Sequence, residues 1–308
     1  MKSFNNQEFE TLHTKFSRDV KLQGKSQNTI NSYSRSLRRL LSYFDCHPKD
    51  LTPDDLKLYF EDLLNTLSWS TVKVDLCGLR HFWERILKTR WQWPDIVKPP
   101  RPKKLPDILT VDEVDRIMAA FEKFRYRVCL FTIYSMGLRL TEGTTLRVSD
   151  IDTARKLVHI RSAKGNKDRM VPLPLQTLQL LRRYWVTHKN PTLLFPAVQF
   201  GPTKKQYTHK TMDKGGVQTA FKLALSDANI HKRASVHTLR HSYATHLVEA
   251  GVNLRVIQEI LGHANPNTTV IYARLSKPTL DNSDHLIGKL MNGFQFVRRK
   301  QLLQPEDD

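Results

Sequence analysis

The chain has 308 residues, enough for two domains with their own cores, and its 40% hydrophobic and 9% aromatic content is that of a globular protein. A net charge of +19, from 49 Lys+Arg against 30 Asp+Glu, favours a polyanionic partner through counterion release. Nucleic acid fits best, ahead of a merely basic protein or an anionic membrane surface, and Cys46, Cys77 and Cys129, odd in number and scattered, exclude a disulfide framework and a zinc spacing.

The start of the chain, Met1-Lys-Ser-Phe-Asn-Asn6, turns polar at once and holds no signal-peptide core. A first helix is expected near Glu8 to Leu22. From Ser26 onward Ile30, Tyr33, Leu37, Leu40, Leu41 and Phe44 keep to one helical face, and Arg35, Arg38 and Arg39 occupy the other. Thr52-Pro-Asp-Asp55 opens a third helix, with a capping hydroxyl, proline in the first turn and acids at the positive dipole end. A fourth helix follows Ser68, with Val72, Leu76, Leu79, Phe82 and Trp83 inward. These elements make a helical N-terminal domain over residues 1–97.

Composition then changes. Lys98-Pro-Pro-Arg-Pro-Lys-Lys-Leu-Pro106 cannot be helical and reads as a stiff interdomain linker. Lys98, Arg101, Lys103 and Lys104 suit a strap lying across phosphates; a plain surface loop is the blander alternative. Thr110-Val-Asp-Glu113 has the capping-box pattern and opens a helix through Phe121. Arg127 to Met136 reads as a buried helix ending at Gly137; its run to Leu138 is too short to span a bilayer. Lys156 to Ser162 alternates as a strand, Lys164 to Asp168 turns, and Arg169 to Leu173 returns. Everything afterwards reads as helical: Leu175 to Thr187, Val217 to Ala228, Thr238 to Glu249, Leu254 to Leu261 and Thr268 to Leu275. The expectation is a mainly α chain with one small β-hairpin.

The chemistry concentrates late in the chain. His237-Thr-Leu-Arg240-His places two imidazoles and a guanidinium in one helical neighbourhood, and Leu261-Gly-His263 and Tyr272 follow. Gly137-Leu-Arg139 adds a second arginine at an element end, and Lys164 sits at the hairpin tip. Arginines bind phosphate oxygens, histidine moves protons near neutral pH, and a tyrosine hydroxyl is a nucleophile. Together these groups suit attack on a phosphodiester. Zinc fits His237 and His241 poorly, because no glutamate follows the first histidine and Arg240 repels a cation. No metal or other cofactor is expected.

The ordered set Gly137-Leu-Arg139, Ala163-Lys164-Gly-Asn-Lys-Asp-Arg-Met-Val-Pro-Leu173, His237-Thr-Leu-Arg240-His, Leu261-Gly-His263 and Tyr272 resembles the tyrosine recombinase (phage integrase) family, especially its Xer-like and mobile-element integrases. The resemblance spans nearly the whole chain. It implies a helical core-DNA-binding domain, a catalytic domain over 107–279, and a C-shaped clamp around double-stranded DNA. Arg139 and Arg240 match the family's phosphate-binding arginines, Lys164 its hairpin lysine, His237 and His263 its active-site histidines, and Tyr272 its nucleophile. Glu142 matches an acidic position that supports these groups without acting as the base. The implied activity is site-specific recombination through a 3′-phosphotyrosyl intermediate and a four-way (Holliday) junction, by a tetramer or paired heterotetramer in the cytoplasm.

Leu140-Thr141 stands where relatives often carry Ile-Ser, and Gly143 where a larger apolar residue is common. Beyond Tyr272, Leu286, Ile287, Leu290, Met291 and Phe294 form an amphipathic face in the 280–308 tail. The resemblance implies that this face docks on a neighbouring subunit, with packing on its own domain the alternative. A type IB topoisomerase shares the tyrosine chemistry, and a DNA-binding protein without catalysis is the rival from another class.

Overall fold

The computed structural model describes residues 6–44, 46–91, 107–163, 167–200, 205–262 and 287–294. The expected linker with Lys98, Arg101, Lys103 and Lys104, the hairpin tip with Lys164, the helix 268–275, His263 and Tyr272 lie outside the described residues. The chain divides into two units, Met1–Lys103 and Lys104–Asp308.

In the first unit, α1 (Asn6–Leu22), α2 (Gln27–Tyr43), α3 (Pro53–Thr66) and α4 (Trp69–Phe82) follow their caps. The Ser26 hydroxyl accepts from the Thr29 N–H at 3.3 Å. Thr52 and Asp55 cap α3 reciprocally, at 2.8 and 3.2 Å. Each such cap stabilises a helix start by about 1 kcal/mol, because first-turn N–H groups have no partner inside the helix. Phe16, Leu37, Tyr59, Leu79 and Phe82 are fully enclosed between the helices. The α4 helix ends in a wider turn, Trp83–Leu87, closed by Lys88 in the left-handed region.

Asp75 of α4 is buried against α2. Its carboxylate accepts from the Ser36 hydroxyl at 2.7 Å and pairs with the Arg39 guanidinium. Arg39 is therefore not on the free basic face expected from spacing. It serves the carboxylate inside the unit, whereas Arg35 and Arg38 are exposed.

The second unit begins with α5 (Val111–Ala119), capped reciprocally by Thr110 and Glu113, and α6 (Phe124–Ser135). Helix α6 starts three residues before the expected Arg127, and every residue from Arg127 to Ser135 is buried. Around it lie the short α7 (Leu140–Thr144), α8 (Leu175–His188), α9 (Lys214–Asp227), α10 (Val236–Glu249) and α11 (Leu254–Leu261). On α10, Leu239, Tyr243 and Leu247 are fully enclosed, each contributing roughly 1.5–3 kcal/mol through burial.

Strands β1 (Ile151–Asp152), β2 (Leu157–Ala163) and β3 (Lys167–Pro172) form an antiparallel sheet in that order. Val158 pairs with Val171, and both face the core. His159 and Arg161 face outward, where His159 meets Asp168 at 2.9 Å and Arg161 meets Asp150 at 2.6 Å.

A single hairpin is not what the fold holds. A second antiparallel pair, β4 (Pro196–Phe200) with β5 (Lys205–Thr211), occupies a stretch expected to hold only helices. Tyr207 and Thr208 are half-buried and His209 and Lys210 exposed, so the ribbon lacks the buried alternation that announces a strand.

Part of the face expected to dock on a neighbouring subunit is described. Residues 287–292 are helical, and Ile287, Met291 and Phe294 are wholly buried in the core of their own unit. The Phe294 ring lies 5.7 Å from Phe131 and 5.4 Å from Tyr134, both on α6. Leu290 is half-buried, and Leu286 lies outside the described residues.

Of the cysteines, Cys46 and Cys129 are buried and Cys77 is half-buried, and none of them forms a disulfide. Burial pushes the Cys129 thiol up to about 12, which leaves it inert. Among the described residues no helix is long and apolar enough to cross a membrane.

Candidate active site

The site is built at the turn after α6. Gly137 adopts φ +60°, and its N–H and that of Leu138 close the helix on the Tyr134 and Ile133 carbonyls at 3.0 and 2.9 Å. A side chain there would also collide: a Cβ on residue 137 would lie 2.6 Å from Tyr243 and 2.7 Å from Leu261. This close approach brings α6, α10 and α11 together just ahead of Arg139.

Arg139 starts α7, and the Glu142 carboxylate accepts its N–H at 2.8 Å. That bond ties the short helix to its first turn. Gly143, one of the departures from the family pattern, faces Ile133: a Cβ would sit 2.4 Å from Ile133 Cγ1. The isoleucine fills the volume a larger residue would take.

Glu142 is 6% exposed and lies among three arginines. Arg139 Nη1 donates to Oε1 at 2.6 Å. Arg169, on β3, donates to both oxygens, at 3.0 Å and 2.8 Å. Arg240 Nη1 stands 3.8 Å from Oε2. Burial alone raises the pKa of this carboxyl, but the hydrogen bonds and charges of Arg169 and Arg139 outweigh it and hold the group at about 2.

Main-chain carbonyls orient the guanidiniums. Arg240, 2% exposed, donates to Gly137 O at 2.7 Å and Leu261 O at 2.5 Å. Arg139 Nη2 reaches Gly262 O at 3.3 Å, and Arg169 Nε reaches Ile260 O at 2.7 Å. Arg139 stays the most accessible of the three, at 22%.

His237 lies on the first turn of α10, with solvent on one side. Desolvation, then the charges of Arg240 and Arg139, lower its pKa. His241, one turn on, meets it edge to face with ring centroids 4.6 Å apart. Desolvation, then His237 and Arg240, press His241 down to about 4. Both imidazoles are neutral at pH 7, so three arginines against one carboxylate leave the cluster two charges positive. Such an excess, held by fixed dipoles away from water, suits an anion.

Four of the expected site residues thus come together: Arg139, Glu142, His237 and Arg240. Arg169 and His241 belong to the same cluster; spacing places His241 beside His237 and Arg240 without giving it a role, and it does not single out Arg169. A signal existed for Arg169: it alternates with Val171 and Leu173, both on the core side of the strand. A charge at a core-facing strand position demands a buried partner.

A helical unit, a mixed α/β unit and a buried cluster of three arginines around one carboxylate are the features to set beside known proteins. The phage integrase family profile matches residues 107–278, and that of the phage integrase N-terminal SAM-like domain matches 12–93. A putative integrase/recombinase, y4qK, of Sinorhizobium fredii is 32% identical over 86% of this chain and 84% of its own length. The tyrosine recombinase XerD of Oceanobacillus iheyensis is 32% identical over 84% of this chain and 91% of its own. In fold, the chain is similar to lambda integrase in a dimer bound to a COC′ core site, with a TM-score of 0.67 at 16% identity, over 88% of this chain and 99% of that one. The chain belongs to the phage integrase family of tyrosine recombinases, enzymes that break and rejoin DNA strands.

Proposed function

We propose that Arg139 and Arg240 bind the non-bridging oxygens of a scissile DNA phosphate and that Tyr272 attacks its phosphorus. The observation that carries this reading is the excess of guanidinium charge around Glu142, with Arg139 the most open member. A free phenol is only ~0.1% ionised at neutral pH, so a base must take its proton during attack. Neutral His237, beside both arginines, suits that task. As the phenolic oxygen bonds to phosphorus, the bond to the 5′ oxygen breaks, and Lys164 protonates the departing 5′ oxygen. His263 donates a further hydrogen bond to the phosphate. The products are a 3′-phosphotyrosyl link and a free 5′-hydroxyl.

Because the phosphodiester is conserved as a phosphotyrosyl ester, the reverse attack by a foreign 5′-hydroxyl needs no nucleotide cofactor. Two such exchanges on paired sites, through a Holliday junction, give recombination. Exposed Arg35 and Arg38 suit contact with the duplex backbone, as do Lys98, Arg101, Lys103 and Lys104 by their charge and proline-rich setting. We read the working assembly as a tetramer at paired sites, serving a mobile element in the cytoplasm.

The test is covalent trapping. Full-length protein and a nicked suicide duplex, carrying a site selected by binding from a random-sequence pool, are mixed without added metal. A protein–DNA adduct is expected, and none from Tyr272→Phe. An adduct that persists in that variant overturns the assignment of the nucleophile. Metal-free relaxation of supercoiled plasmid without any strand exchange would favour topoisomerase action instead.

A further inference from the structure

Arg169 takes no part in the chemistry above, yet it is buried and held by three hydrogen bonds. Its side chain is 8% exposed. Two parallel bonds reach both oxygens of Glu142, a geometry only a guanidinium supplies, and a third reaches the Ile260 carbonyl. Its stem passes over Gly262, where a Cβ would meet Arg169 Cδ at 2.8 Å. Gly262, at φ +62°, caps α11 and directly precedes His263 in the chain. One side chain thus joins β3, the first turn of α7 and the end of α11.

We propose that Arg169 is a positioning residue for strand cleavage: it fixes both oxygens of Glu142, which sets the direction of Arg139, and it holds the end of α11 at Ile260 and Gly262. The inference rests on the phosphate-binding role of Arg139 proposed above. Glu142 Oε1 is shared by Arg139 Nη1 and Arg169 Nη1, and Oε2 by the Arg139 N–H and Arg169 Nη2. Without Arg169, the carboxylate is free to turn toward Arg139 and take both its charge and its geometry. Arg139 then pairs within its own helix turn in place of a phosphate. The cost falls on the reaction more than on DNA binding, which draws on many phosphates.

Acid sharpens the distinction. Among the described residues, the charged groups facing Glu142 are Arg139 on α7, Arg169 on β3 and Arg240 on α10. Loss of Arg169 removes the strongest of the interactions that keep the buried carboxyl ionised. The group then takes up a proton at a higher pH and loses its hold on Arg139. His237 and His241 titrate in every variant, so a ratio to wild type isolates the carboxyl.

The experiment compares full-length wild type, Arg169→Met, Arg169→Lys, Glu142→Gln and the Arg169→Met/Glu142→Gln pair on the suicide duplex described above. Single-turnover adduct formation is timed at saturating DNA, and affinity is titrated separately. Arg169→Met is expected to slow adduct formation about 30- to 100-fold while affinity changes less than about threefold. That loss deepens from about pH 7 to about pH 5, and the deepening vanishes in both proteins that carry the Glu142→Gln substitution. The double variant should be no slower than its slower parent, because the two residues act through one contact. Arg169→Lys, which presents one point charge, recovers less than about tenfold, and it carries the same comparison if the methionine variant fails to fold.

Losses that multiply in the double variant, a loss independent of pH, or one matched by an equal fall in affinity would overturn the inference. An unimpaired Arg169→Met beside an active wild type overturns the inference alone. No adduct from wild type overturns the recombinase chemistry, and the inference with it.

Discussion

Asp75 in the first unit and Glu142 in the second are both buried against arginine, and the two are solved differently. Asp75 meets one guanidinium, Arg39, and one hydroxyl, Ser36, which closes its charge inside the helical unit. Glu142 meets three guanidiniums, and its environment ends two charges positive. The first arrangement is complete without any partner. Among the described residues, the second keeps a surplus of positive charge. A buried ion pair by itself says little about function; the imbalance of charge around it says where the ligand belongs.

The sharpest test of that contrast removes Arg240. Arg240→Ala should slow adduct formation about 100- to 1,000-fold, because a fixed donor to developing charge is lost. Asp75→Asn should leave the adduct rate of the folded protein unchanged. A similar fall in both would erase the distinction.

Next comes Glu142→Gln, read as stability against pH. The carboxyl is held at about 2 in the fold and lies near 4.3 in the unfolded chain, so its contribution of roughly 3 kcal/mol is present above the unfolded value. It is lost as pH falls from the unfolded value through the folded one. Hydrogen exchange resolved by unit should show wild type losing this increment below pH ~4.3, and Glu142→Gln showing a flatter profile there.

By the same measurement at neutral pH, Asp75→Asn should destabilise the first unit alone, by about 1–2 kcal/mol, because Arg39 keeps partial access to water. A matching loss of protection in the second unit would mean the two carboxylates are not independent.

The smallest expected effect is the most direct reading of the surplus charge. Sulfate at about ten times its dissociation constant should stabilise the second unit by ~1.4 kcal/mol. Arg240→Ala at the same sulfate concentration should lose that increment, which removes the general salting effect from the comparison. An equal gain in both proteins would show no anion site at the cluster.

How far the sequence speaks depends on what each element asks of its side chains. Helix α11 is found at Leu254–Leu261, the limits expected from its apolar face. Both the Asn253 cap and the Gly262 stop are written in residue types. The β4–β5 ribbon escapes notice because its pairing is main-chain bonding with little burial, and main-chain bonds leave no pattern. Glu142 enters through the family resemblance, whereas Arg139 stands out after a helix cap and Arg240 by its spacing from His237. Their holders do not: the carbonyls of Gly137, Leu261 and Gly262 are chemically the same in every residue. Arg169 was legible through its core-facing alternation with Val171, but only to a reader counting charges as well as apolar positions. The tail shows the opposite limit. Its amphipathic face is plain, yet nothing in that face says whether it covers α6 or another molecule.

The reliance on carbonyls carries a consequence for how this protein tolerates change. At positions 260 and 261 a substitution alters packing but not the acceptor, since the oxygen belongs to the backbone. An apolar exchange of similar volume there leaves the guanidiniums anchored. The arginines themselves have no such latitude, because each satisfies acceptors through a fork that no other side chain reproduces. Drift is therefore one-sided: the frame around the pocket can wander through hydrophobic alternatives while its three cations stay fixed. A mutational scan of 258–261 beside one of 139, 169 and 240 would show that asymmetry as a permissive band next to an intolerant one.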